Sequence, residues 1–159
     1  MKIDSIIKAE LNIDILQGVI LSFLSGFNGN CSYDLLLIAT AFVYSKPCRE
    51  SLSNANNKST MQSIFLKQKV FDDTKSLVLW ANVSQRVEIL KKNFNLALID
   101  LNSKEQIAFD KTIKINSVFD YKIYTDNIIK SYLRAAYYLG IMMKKCDSND
   151  IINSVLRRI

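Results

Sequence analysis

The sequence predicts a single, mainly α-helical domain with one small β-hairpin, winged-helix-like in the order of its elements. Three observations carry this. Apolar residues recur at helical spacing in several separate stretches. One proline and four glycines in 159 residues leave too few turn formers for a sandwich or a barrel. The helical period gives way to strand-like alternation once, from Leu96.

The first helix is expected from about Ile13 to Ser25, with Leu16, Val19, Ile20, Phe23, Leu24 and Phe27 at helical spacing. Gly26, Asn28, Gly29 and Asn30 are turn residues that end it. Leu35–Tyr44 carries no charge and only two hydroxyls, Thr40 and Tyr44. A surface helix would keep a polar stripe, so this run reads as a central helix touched on most sides. Ser32 or Asp34 can cap it. It is expected to stop at Lys46-Pro47, because a residue before proline is pushed out of the α region.

Ser51–Thr60 is polar and small, a loop or weak helix end. Met61, Ile64 and Phe65 suggest a short amphipathic helix. Asp72 and Asp73 are caps for a helix carrying Leu77 and Trp80, with a break expected at Asn82-Val83-Ser84. Ser84 would then cap a helix along Val87, Leu90 and Phe94; an unbroken helix from Asp73 to Phe94 keeps the same register and is the rival. Leu96–Leu101, a loop Asn102–Glu105 and Gln106–Phe109 read as two strands, which Ile113 and Ile115 extend. Helix, turn, helix, hairpin is the winged-helix order, with Ser84–Phe94 in the recognition-helix position and Lys104 at the wing tip. Thr125 or Asp126 caps a long helix with its stripe on Ile129, Leu133, Ala136, Gly140 and Met143. Ala135, Ala136 and Gly140 would admit a second helix closely. Ser148 starts a last helix with Ile151, Ile152, Val155 and Leu156. The domain thus divides into 12–71, 72–116 and 125–159.

Composition narrows the chemistry. There is no histidine, which removes histidine-based dyads, imidazole metal sites and the commonest general base. Cys31, Cys48 and Cys146 are odd in number and far apart, so they read as free thiols in a reducing compartment. Asp72-Asp73, Asp100, Asp110 and Asp120 show no metal-ligand spacing. The tyrosines Tyr121, Tyr124, Tyr132, Tyr137 and Tyr138 read as packing rather than base stacking. No cofactor and no small-molecule substrate are expected. Met1–Glu10 does not read as a signal peptide, and the uncharged run Ile15–Tyr33 is too polar at its end to span a bilayer, so a cytoplasmic protein is expected. The net charge of +6 is uneven: residues 1–50 hold four Lys/Arg against five Asp/Glu, and the rest hold all the excess. That balance suits nucleic acid or an acidic protein, and equally a solvated surface from an AT-rich genome that favours lysine codons.

The segment after the central helix is Ser45-Lys46-Pro47-Cys48-Arg49-Glu50-Ser51-Leu52. It resembles the middle components of bacterial ABC-three-component defence systems, which include the small accessory subunit of Lamassu. In that family a buried apolar helix runs into His-Lys-Pro-Thr-Arg-Glu-Ser-Leu, and six of the eight residues agree here. Ser45 stands where the family often has histidine and Cys48 where it often has threonine, which counts against a catalytic role for either. The stretch Arg134-Ala135-Ala136-Tyr137-Tyr138-Leu139-Gly140, followed by a short closing helix, is similar to the family's ending.

The resemblance implies a non-enzymatic accessory subunit of an anti-phage complex. It would bridge an SMC/Rad50-like ATPase and an effector, often a nuclease, without a membrane. Lys46, Pro47, Arg49 and Glu50 are the partner-docking candidates. Arg49, able to bond a carboxylate or phosphate bidentately, serves either a docking corner or an internal latch. Arg86, Lys91, Lys92 and Lys104 are the candidates for contact with non-specific double-stranded DNA. A free-standing winged-helix DNA-binding transcriptional regulator is the alternative, and a carboxylate–magnesium enzyme a distant third.

Overall fold

The computed structural model describes residues 12–66 and 73–156. Among them are six α-helices: α1 (Ile13–Phe27), α2 (Tyr33–Tyr44), α3 (Lys46–Leu52), α4 (Asp73–Ser103), α5 (Asn127–Lys144) and α6 (Ser148–Leu156). A π-helical turn, Gln62–Leu66, precedes α4, and a 3-10 turn, Tyr121–Ile123, precedes α5. Strands β1 (Ile107–Phe109) and β2 (Ile113–Ile115) form an antiparallel hairpin, with Ile107 opposite Ile115 and Phe109 opposite Ile113. The protein is mainly helical with one hairpin, as the sequence predicts. Among the described residues no helix is long and apolar enough to cross a membrane.

Helix α2 is the centre. Every residue from Leu35 to Tyr44 is buried, and helices α1, α3, α4, α5 and α6 all pack on it. A helix enclosed in this way has no face on which a charge would be solvated, which explains the uncharged run. The Ser32 hydroxyl accepts from the Leu35 N–H at 3.2 Å and caps its start. The other caps are side-chain oxygens of the expected kind: Asn12 before α1, Asp126 before α5 and Asp147 before α6. Helices α1 and α5 cross at nearly backbone distance. A Cβ on Gly140 would lie 2.3 Å from the Phe23 carbonyl oxygen, and one on Gly26 would lie 2.0 Å from that of Tyr137. Only glycine fits either position.

Three expectations change. The break at Asn82-Val83-Ser84 does not form: α4 runs unbroken for 31 residues. Val83, Val87, Leu90, Phe94, Ala97 and Leu101 are buried at alternating four- and three-residue steps, one continuous seam that a turn would interrupt. The candidate recognition helix Ser84–Phe94 is therefore the middle of a longer helix, and the helix-turn-helix within 72–116 is absent. Leu96–Leu101 is helical for the same reason. Ala97, Leu98 and Leu101 fall on the buried side while Leu96 and Ile99 are 46% and 66% exposed. The Asn102–Glu105 stretch closes that helix rather than turning a hairpin. The N–H of Gln106 donates to the Leu101 carbonyl and that of Glu105 to the Asn102 carbonyl, with Glu105 at φ 59°. This is a Schellman end carrying a non-glycine residue in the left-handed region.

The hairpin therefore lies later than expected, and its turn is Asp110–Thr112. Cys31 and Ile113 exchange two backbone hydrogen bonds, at 2.9 and 2.7 Å, which sew β2 to the α1–α2 turn. Asp72 as a cap and the side chains of Leu77, Trp80, Val155 and Leu156 lie outside the described residues, as does Met1–Glu10.

Candidate docking corner and exposed helix face

The proline segment builds a corner rather than a stop. Ser45 alone is extended, at ψ 116°, and ends α2. Helix α3 starts at the next residue, with Pro47 in its first turn, where the missing N–H has no helical partner to lose. The break thus falls one residue before the expected site, and Lys46 is helical.

Within the corner the candidates part company. Arg49 turns inward: its Nη1 donates to the Val43 carbonyl at 2.8 Å, and its guanidinium stacks 4.1 Å above the Tyr132 ring of α5. That bond occupies a carbonyl left free by the end of α2 and ties α3 back onto it. Lys46 and Glu50 turn outward and face each other at 3.8 Å with their side chains 61% and 68% exposed. Such an exposed pair contributes little to stability. Cys48 lies on the opposite, buried side of α3, and burial pushes its thiol up to about 11. Burial likewise raises the Tyr44 phenol, whose ring packs 5.4 Å from that of Tyr132.

The stretch Arg134–Gly140 of α5 meets the end of this corner. Arg134 donates to the Leu52 and Ser53 carbonyls from Nη1, at 3.3 and 2.9 Å, and to the Ala55 carbonyl from Nη2 at 2.8 Å. Its guanidinium also stacks on Tyr138, at 4.6 Å. Lys145 Nζ reaches the Asn57 and Ser59 carbonyls, both at 2.9 Å. Arg134 and Lys145 thus hold five backbone carbonyls, that of Leu52 at the end of α3 and four of the polar stretch that follows it. The sequence offers no sign of these bonds, because the acceptors are backbone atoms of Leu52, Ser53, Ala55, Asn57 and Ser59.

The four DNA-contact candidates are not gathered. At about 100° of rotation per residue, Lys91 and Lys92 point roughly 100° apart, and Lys91 is about 140° from Arg86 and Lys104. Lys104 stands at the end of α4, not at the hairpin tip, which is Asp110-Lys111-Thr112. Its ammonium pairs with Asp100 at 2.8 Å, and Gln17 Nε2 donates to the same carboxylate at 2.6 Å. These two hydrogen bonds, that from Lys104 first, hold the Asp100 carboxyl below its usual range, and the bond to Asp100 raises the Lys104 ammonium.

The exposed side of α4 carries a feature that composition did not suggest. Ile89, Leu96 and Ile99 are 63%, 46% and 66% exposed, and Phe109 of the hairpin is 45% exposed. Phe109, Tyr33, Asn95, Leu98, Ile99 and Asn102 line a shallow groove beside this stripe. The Tyr33 hydroxyl donates to the Asn95 side-chain oxygen at the groove's rim. Among the described residues, no three His, Cys, Asp or Glu side chains are grouped to hold a metal ion. Comparison of the chain with protein-family models, with curated proteins and with solved structures finds no match.

Proposed function

We propose that this chain is a non-catalytic accessory subunit of an anti-phage defence complex, bridging an SMC-like ATPase and an effector of the nuclease type. One observation supports the reading above others. The two segments that resemble the middle components of three-component systems lie about 80 residues apart, yet Arg134 of the second donates to the carbonyl of Leu52, the last residue of the first, and to those of Ser53 and Ala55 just after it. A shared signature that forms one internal joint is what a common scaffold would keep. In this reading Arg49 and Arg134 hold the scaffold, and Lys46 and Glu50 offer polar contacts at its rim. Any engagement of DNA is secondary and directed at phosphates, since the basic residues of α4 diverge. It would fall in the range of non-specific binding, about 10⁻⁴–10⁻⁶ M at physiological salt.

The first test is whether a coiled-coil ATPase is encoded beside the gene; where one is, the second is co-expression with it, followed by affinity purification and a phage-plating assay. Co-purification of the two, and loss of protection when this subunit is omitted, is the expected result. Nanomolar, sequence-selective binding of an operator by the isolated chain would overturn it in favour of a transcriptional regulator.

A further inference from the structure

We infer that the exposed face of α4 is a homodimer interface, and that its occupant is a second copy of this chain in antiparallel orientation. Glu88, Lys92, Leu96, Asp100 and Lys104 follow one another at four-residue steps and form one ridge along α4. The ridge is open to solvent: Glu88 and Lys92 are exposed, Leu96 is 46% exposed, and the Lys104 and Asp100 side chains are 58% and 43% exposed.

Along the ridge the charges run negative, positive, neutral, negative, positive. A two-fold axis through Leu96 sets this series against its own reverse. Leu96 then meets the partner's Leu96, Lys92 meets the partner's Asp100, and Glu88 meets the partner's Lys104. Every charged position faces its opposite. A parallel pairing in register would set each charge against its own kind. A two-fold interface requires a self-complementary surface, and this ridge supplies one.

The existing ion pair strengthens the case. Asp100 already holds Lys104 at 2.8 Å within one chain. The two-fold pairing adds the partner's Lys92 to that Asp100 and the partner's Glu88 to that Lys104. The result is a network of alternating sign on each side of the axis, where isolated exposed pairs contribute little. Ile89 and Ile99 flank the ridge, 63% and 66% exposed, and extend the apolar contact around Leu96. Exposed apolar surface rimmed by charge marks an interaction site. The inference is independent of the ATPase reading, because it concerns the isolated chain.

Sedimentation velocity of the full chain over a wide concentration range tests it. The expected mass rises with concentration from 18.2 kDa towards twice that value. Leu96→Glu should hold the chain at the monomer mass while its circular dichroism and melting temperature stay unchanged. Lys92→Asp and Asp100→Lys, each alone, place like charges face to face and should weaken self-association at least about tenfold. An equimolar mixture of these two variants should dimerise again, because each then carries the complement of the other. That rescue is specific to the antiparallel register and does not depend on either variant's stability alone. A wild-type chain that stays monomeric at every concentration would overturn the inference. So would a dimer that survives Leu96→Glu, or a mixture that shows no rescue.

Discussion

Two regions of this chain carry a cluster of charged residues, and they use it in opposite ways. At the corner, Arg49 and Arg134 turn inward, stack on Tyr132 and Tyr138, and satisfy backbone carbonyls where α2 and α3 end. On α4, Glu88 and Lys92 stay outward beside uncovered Ile89, Leu96 and Ile99. A guanidinium can do the first job because its planar fork serves several acceptors at once and still offers a face to an aromatic ring. The difference teaches that a distinctive charged motif can be internal architecture, while the surface open to partners carries no motif at all. The corner should govern stability, and the ridge should govern association.

The largest effect is expected where the platform of the corner, α5, crosses α1. Gly140→Ala would drive a methyl group into the Phe23 carbonyl and the Phe27 amide, both rigid backbone. The helices must separate, and a loss of about 3 kcal/mol is expected in urea unfolding. A loss near zero would mean that the two helices slide past one another freely.

Next comes the clamp. Arg134→Ala removes donors from the Leu52, Ser53 and Ala55 carbonyls and should cost about 2 kcal/mol. Arg134→Lys should recover less than half of that, since an ammonium cannot fork and stack together. Full recovery by lysine, read from the denaturant midpoint, would reduce the corner to a simple charge effect.

A pH dependence sharpens the same contrast, because the buried thiols belong to the corner and the α1–α2 turn. Burial pushes Cys31 to about 12 and Cys48 to about 11, from an ordinary value of 9.0. The unfolded chain therefore releases these protons first. Their contribution is whole below pH 9.0 and is lost as pH rises through about 11 and about 12. Stability should fall along that window, and a Cys31→Ala, Cys48→Ala double variant should show a flatter slope.

The smallest effect has the opposite sign. Glu105 holds the left-handed position that ends α4, at φ 59°. Glu105→Gly should stabilise the fold by about 0.5–1 kcal/mol, seen as a raised melting temperature. It should leave the ridge's association untouched.

Much of this fold is legible in the sequence, and the misreadings have physical causes. The enclosed α2 is visible because burial on every side removes the polar stripe. The hairpin is visible in kind but displaced in place. Leu96-Ala97-Leu98-Ile99-Asp100-Leu101 satisfies a two-residue alternation, yet Ala97 and Leu101 also continue the seam from Val83, and packing against the core decides for helix. Asn82 and Ser84 suggest a break by local preference, which the same seam overrides. At the candidate site, Arg49 is found by its motif, but its direction is not, since an arginine reads alike whether its acceptor is a partner's carboxylate or a neighbouring carbonyl. Arg134 and Lys145 escape because carbonyl acceptors leave no trace in residue type. The ridge could have been found: Glu88, Lys92, Leu96, Asp100 and Lys104 are spaced in plain sight, once 73–103 is read as one helix.

The most direct measurement compares one variant from each region, side by side, for unfolding midpoint and for molar mass at the same concentrations. Arg49→Ala should lower stability by about 1–2 kcal/mol, through the lost Val43 bond and the lost stacking on Tyr132, and leave the mass unchanged. Leu96→Glu should leave stability within about 0.5 kcal/mol and reduce the mass to that of the monomer. The opposite pattern, with Arg49→Ala controlling association and Leu96→Glu controlling stability, would contradict the division of labour described here.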